Sequence, residues 1–181
     1  MNMWDTILDA RLVEIYDIDE ASLKTNRSGR MTDKQRQRLQ TLRWQRIRRY
    51  GMTAIVALIL WLASGFFSTG GVFGLVVNFI RIILLLVVLT QIGRIVSHHR
   101  RTNREISDGR VLMYPGRLNK VVWYGTRIMY CERGTFYKLS DAEWDAFDDY
   151  GRYRVFCTPY TKTIVGAQPV HRDEPLPEAW A

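Results

Sequence analysis

A chain of 181 residues is long enough for one or two small folded units. Its hydrophobic share of 47% is ordinary, but the apolar residues crowd between Met52 and Val96. The net charge of +8 flanks that block, while residues 111–181 are neutral, so a nucleic-acid groove, which needs cations on the folded domain, is not expected.

Residues 1–18 read as a short amphipathic helix with Trp4, Leu8, Leu12 and Ile15 on one face. Asp19 is placed to cap a second helix, which Gly29 would end as a left-handed residue. Thr32 and Gln35 have capping-box spacing, in which each side chain satisfies the other residue's backbone amide. Neither Pro nor Gly follows until Gly51, so one helix is expected to run on into the apolar block. Its apolar residues Leu39, Leu42, Trp44 and Ile47 stand among cations that include Arg46, Arg48 and Arg49. Such a helix either lies against anionic headgroups or stands in water. About fifty mostly polar residues precede the first apolar run, so no signal peptide is read.

Two spans are expected, from about Met52 to Phe67 and from about Val72 to Val96, joined by the uncharged turn Ser68-Thr69-Gly70-Gly71. Tyr50 on one side and Phe66, Phe67 and Phe73 on the other are placed as interfacial anchors. Arg81 costs the second span roughly 2.5–3.5 kcal/mol, less than its Leu, Ile, Val and Phe residues return together at roughly 0.3–0.6 kcal/mol each. It has two readings: it snorkels to headgroups, or it faces protein one turn below Asn78 and two turns below Gly74. No Asp or Glu lies in either span, so a carboxylate partner would have to come from another chain. Ala54, Ala57, Ser64 and Gly65 would let helices approach closely. The cations border the outer ends of the hairpin and none lies in its loop, which places both termini in the cytoplasm.

After a polar linker, the pattern changes to short strands near Arg110–Met113, Leu118–Trp123, Arg127–Cys131, Thr135–Leu139, Arg152–Thr158 and Thr163–Gln168. Turns are expected at Pro115-Gly116, Gly125-Thr126, Arg133-Gly134 and Pro159. Ser140 and Glu143 form a second capping box, opening a short helix with Trp144 and Phe147 on its apolar side. The expected fold is a membrane α-helical hairpin plus a small cytoplasmic mainly-β domain of SH3-like or OB-like barrel type. The segments are a helical N-terminal part (1–50), the hairpin (51–97), a linker (98–108), the β domain (109–170) and a disordered tail (171–181). On this segmentation, residues from about 105 to 170 are expected to fold alone.

Two stretches carry a family resemblance. N-R-S-G-R-M-T-D-K-Q-R-Q-R-L (Asn26 to Leu39) resembles a motif, N-R-x-G-R-[LM]-[ST]-x-x-Q-R, of uncharacterised prokaryotic two-span membrane proteins. G-R-Y-R-V-F-C-T-P-Y-T-K-T-I-V-G-A-Q-P (Gly151 to Pro169) is similar to their C-terminal module, with Cys157 in place of a common aromatic and Gly166 in place of the usual serine. The resemblance covers roughly residues 18–170. It implies the architecture and no activity.

Catalytic signals are weak. Asp141, Glu143, Asp145, Asp148 and Asp149 gather on one short helix and its exit, where a solvated acidic surface is the plainer reading. His98 and His99 are adjacent, so one helix face cannot present both to a metal, and no G-x-S-x-G, H-E-x-x-H or P-loop occurs. Cys131 and Cys157 lack C-x-x-C spacing and read as buried hydrophobes. No enzyme, cofactor or metal is expected. Thr158-Pro159-Tyr160-Thr161-Lys162-Thr163 reads as a turn whose Tyr160 and Lys162 are candidates for contact with a partner or a headgroup. The expected partners are membrane lipids and either another protein or further copies of the chain. The functional expectation is a non-enzymatic tether at the inner leaflet, with a transport or channel component built on Arg81 and Asn78 as the alternative.

Overall fold

The computed structural model describes residues 9–67, 71–131 and 136–170. Trp4 and Leu8, the loop at Ser68 to Gly70, the turn at Arg133-Gly134 and the tail lie outside the described residues. The chain divides into two compact units, Met1–Arg36 with Ser107–Ala181, and Gln37–Ile106.

In the first unit, helix α1 (Ala10–Tyr16) is capped by Asp9, which accepts from the Arg11 amide at 2.9 Å. Its inward face is Leu12 and Tyr16, both buried, rather than Leu12 and Ile15. That shift brings an aromatic ring inward: Tyr16 meets Phe147, which in turn packs edge-on against Tyr153 at 5.2 Å. Helix α2 (Glu20–Arg27) starts where Asp19 accepts from Ser22 at 2.7 Å, and the chain leaves it through Gly29 at φ +75°, as its sequence requires. Helix α3 (Asp33–Ser64) opens with both halves of the expected capping box, Thr32 N–H to Gln35 Oε1 at 3.0 Å and Gln35 N–H to Thr32 Oγ1 at 3.3 Å.

Five antiparallel strands follow: β1 (Leu112–Trp123), β2 (Thr126–Cys131), β3 (Phe136–Lys138), β4 (Arg152–Cys157) and β5 (Ile164–Pro169), with helix α5 (Asp141–Ala146) before β4. Their order is β3-β2-β1-β4-β5. The strand β1 is long because it serves two ladders, Leu112–Arg117 with β4 and Leu118–Trp123 with β2. The expected turn at Pro115-Gly116 therefore does not form. Pro115 lies where β1 is laddered only to β4, so its missing N–H costs no second ladder. The β1–β2 turn is Tyr124-Gly125, both at positive φ (47° and 72°), a type I′ pair one residue earlier than the sequence suggests. The α5 capping box is present as expected.

Helices α1 and α2 pack on β5, and α1 also meets α5, so the N-terminal segment shares the core of the β domain. An isolated antiparallel bridge pairs Arg30 with Arg110: Met31 N–H donates to Gly109 at 2.8 Å and Val111 N–H to Gly29 at 2.9 Å. The segmentation at residue 50 missed this joining, because a bridge between residues eighty apart leaves no local pattern.

The second unit holds the rest of α3, a short 3-10 turn (Gly65–Phe67) and most of helix α4 (Gly71–Asp108). Both helices are long and apolar enough to cross a membrane. Only 6% of either apolar window is buried, unlike a core helix. The expected linker is helical: α4 meets no Pro or Gly between Gly93 and Gly109, and Gly109 at φ +59° ends it.

Candidate functional site

The two motif stretches, far apart in sequence, meet on β5. Arg27 Nη2 donates to Gln168 Oε1 at 2.9 Å, and Gln35 Nε2 donates to the Val165 carbonyl at 3.0 Å. The Asn26 side chain is buried against Gly166, so close that a Cβ there would stand 3.3 Å from its Nδ2. Gly166 thus has a packing reason: it admits α2. Neither amide atom of Asn26 has a hydrogen-bond partner among the described residues. These residues bind one part of the unit to another.

The Thr158–Thr163 segment closes on itself. Thr158 N–H donates to Thr163 O at 3.0 Å, Thr163 N–H returns to Thr158 Oγ1 at 3.0 Å, and Thr161 bridges the two hydroxyls. Lys162 sits in the left-handed region at φ 53°, and its Nζ donates to the Tyr114 hydroxyl at 2.8 Å. The half-exposed Tyr160 donates to Asp108 at 3.2 Å. Both candidate contact side chains therefore have partners inside the chain, and either would have to exchange one to hold a ligand.

The acids around α5 do more than face water. Glu143 completes the capping box and accepts from the Tyr16 hydroxyl at 3.0 Å. Asp148 receives Tyr153 and Arg11, Asp149 accepts from the Lys120 amide, and Asp141 pairs with Arg127. Burial, ahead of the nearby Asp148 carboxylate, raises the Tyr153 phenol above its usual range, so it remains protonated and donating. Among the described residues, no three His, Cys, Asp or Glu side chains gather as a metal-ligand set.

In the second unit, ten arginines stand against Glu105 alone, a net +9, so the first unit carries −1. Arg46, Arg48 and Arg49 are exposed on α3, and Arg94, Arg100, Arg101 and Arg104 are exposed on α4. Arg43 donates to Asn103, whose amide lies 3.0 Å from His99 Nε2. Arg81 does not stand alone: its guanidinium carbon lies 5.1 Å from the centre of the Trp61 ring on α3. A desolvated cation–π contact contributes about 2 kcal/mol, which offsets much of the roughly 2.5–3.5 kcal/mol insertion cost. Asn78 is exposed on α4 while Gly74 and Val77 are buried.

Trp61 is the partner that sequence reasoning missed by looking only for a carboxylate. Its signal was positional. A helical side chain leans toward its own N-terminus, so Arg81 reaches toward the loop and the residues of α3 nearest it. No protein-family model, curated protein or solved structure matches the chain.

Proposed function

We propose that the chain is a non-enzymatic integral membrane protein of the two-span prokaryotic type its motifs resemble. It crosses the bilayer through α3 and α4 and holds the first unit at the inner leaflet, with both termini cytoplasmic, for contact with a protein or with lipid. The observation that carries this reading is the partition of charge and apolar surface. Exposed apolar helices and the whole of the net positive charge lie in one unit, and a near-neutral folded unit forms the other. The apolar run Val72–Val96 would span ~37 Å at ~1.5 Å per residue, enough for a hydrocarbon core of ~30 Å. The shorter first run is extended by its snorkelling flanks. The sheet is read as the wall of a small SH3-like or OB-like barrel, a reading supported by the long β1 passing from the β4 ladder to the β2 ladder.

Reporter fusions at Met1 and Ala181 test the topology, and both should read cytoplasmic. Affinity capture of the full chain from native membranes tests the role. A protein or lipid should be recovered that is lost when Arg27→Ala and Gln35→Ala together loosen the first unit. A complex that survives this change but requires Arg81 and Asn78 would overturn the reading in favour of an assembly of spans.

A further inference from the structure

Among the described residues of the first unit, four of the six exposed large apolar or aromatic side chains are consecutive, at the end of the β1–β2 hairpin. Val121 is 50% exposed, Val122 59%, Trp123 64% and Tyr124 92%. The other large apolar or aromatic side chains of that unit with comparable exposure, among the described residues, are Tyr150 and Tyr160. Both are occupied: the Arg117 guanidinium lies 5.5 Å from the Tyr150 ring centre, and Tyr160 bonds to Asp108.

Burial along the ribbon stops abruptly. Leu118 and Met129 are buried, and beyond Lys120 the strand β1 is exposed on both faces, Val121 and Trp123 on one and Val122 on the other, while in the turn the Tyr124 ring meets Trp123 edge-on at 5.2 Å. A flat protein partner would cover one face of such a ribbon, whereas a lipid interface wraps both. No charge occurs from Val121 to Thr126, and the first charged residues on either side are the cations Lys120 and Arg127. The tip also holds a residue that folding alone disfavours. Tyr124 occupies the left-handed region at φ 47°, where asparagine or glycine is the easier choice, and a bulky residue there costs roughly 1–2 kcal/mol. An unfavourable backbone retained for an exposed aromatic points to use of the side chain.

We propose that the Val121–Tyr124 tip inserts into the headgroup and acyl boundary of the same bilayer that α3 and α4 cross; this rests on the membrane reading above. The depth follows from the backbone. The ladder Val121–Ile128, Val122–Arg127 and Trp123–Thr126 satisfies one edge, while among the described residues no strand pairs with the other edge of β1 there. Unpaired amides bar the tip from hydrocarbon but not from the interface, where Trp and Tyr are favoured for their apolar rings and polar handles. Because the unit is joined to the spans through both helices, insertion is intramolecular, and a short ribbon suffices where a free domain would dissociate.

The test uses the full chain in phosphatidylcholine–phosphatidylglycerol vesicles. Cys131 and Cys157 are buried, so a spin label can be directed to Thr126→Cys beside the tip, with Glu20→Cys on α2 as the aqueous reference. Label 126 should collide more with oxygen than with a water-soluble nickel chelate, label 20 the reverse, and Trp123→Ser with Tyr124→Ser should shift label 126 toward the chelate. If label 126 is chelate-accessible while the chain resists alkaline extraction, the tip proposal fails and the membrane reading stands. If alkali releases the chain, both fail. Dipolar broadening at 126 that dilution with unlabelled chain removes would mean that the tip pairs with a second copy, which also overturns the proposal.

Discussion

Gly166 offers a quantitative probe of how α2 is seated. A Cβ added there would stand 3.0 Å from Ile18 Cδ1, 3.3 Å from Asn26 Nδ2 and 3.7 Å from Ile18 Cγ1. Alanine should therefore cost about 1–3 kcal/mol by overpacking, offset by about 0.4–1 kcal/mol from the reduced freedom of the unfolded chain. Serine brings the same Cβ, with a hydroxyl in reach of the Asn26 amide, whose nitrogen and oxygen both lack partners among the described residues. Leaving a buried amide unpaired costs about 1–3 kcal/mol, so Gly166→Ser should be more stable than Gly166→Ala by about 1–2 kcal/mol. At an ordinary buried position the order is opposite, because an unpaired hydroxyl is penalised there. The two variants should be compared by urea unfolding of the full chain in mild detergent, where a slope of ~2 kcal/mol per molar turns that difference into a midpoint shift of roughly 0.5–1 M. In an Asn26→Ala background the serine advantage should vanish. Serine at or below alanine, or an advantage that persists without Asn26, would refute the reasoning.

Residues 107–170 expressed alone should lack a cooperative melt, because Leu12, Tyr16, Ile18 and Leu23 complete their core; adding residues 9–36 through a flexible Gly/Ser linker should restore one, as read by near-ultraviolet circular dichroism. Arg81→Leu and Trp61→Leu should show a coupling of about 0.5–2 kcal/mol in a double-mutant cycle of hairpin unfolding, and additive effects would dissolve the pair. Burial, then the charge of Arg46, holds the His98 imidazole below its ordinary 6.5, so it is neutral at pH 7. The unfolded chain takes up this proton first as pH falls, so the stability contributed by a neutral His98 is complete above pH 6.5 and is lost as pH falls through that value toward the folded-state value. An imidazole carbon-13 titration should give His98 an inflection below 6.5; an inflection at or above it would contradict that environment.

Local chemistry was legible in the sequence wherever it decides local structure. Thr32 with Gln35, Ser140 with Glu143, Asp19 and Gly29 each marked a helix end, and the apolar run fixed the long helices. Non-local pairing was not legible. Pro115-Gly116 has the composition of a turn, yet β1 passes through it because β4 offers Tyr153 and Arg154 opposite. The inward role of Tyr16 depends on Phe147, and the partner of Arg81 depends on antiparallel helices placing Trp61 within reach. Of the candidate site residues, Arg46, Arg48 and Arg49 are exposed on α3. Tyr160 and Lys162 have internal partners that no spacing rule foretells. The Val121–Tyr124 tip was hidden by its own apolar character, which reads as core until burial is known.

The bridge between Arg30 and Arg110 has a consequence for synthesis on the ribosome. The strands that α1 and α2 need are made only after the seventy residues from Gln37 to Ile106 have been translated. At ~5–20 residues per second that interval is roughly 4–14 s, and α1 and α2 wait through it with Leu12, Tyr16 and Leu23 uncovered. Cotranslational delivery of the apolar helices to an insertion machinery would shorten the exposure of one hydrophobic segment while leaving the other to a holding chaperone. The order of genetic encoding thus makes the first helices of this chain among its last to find their place.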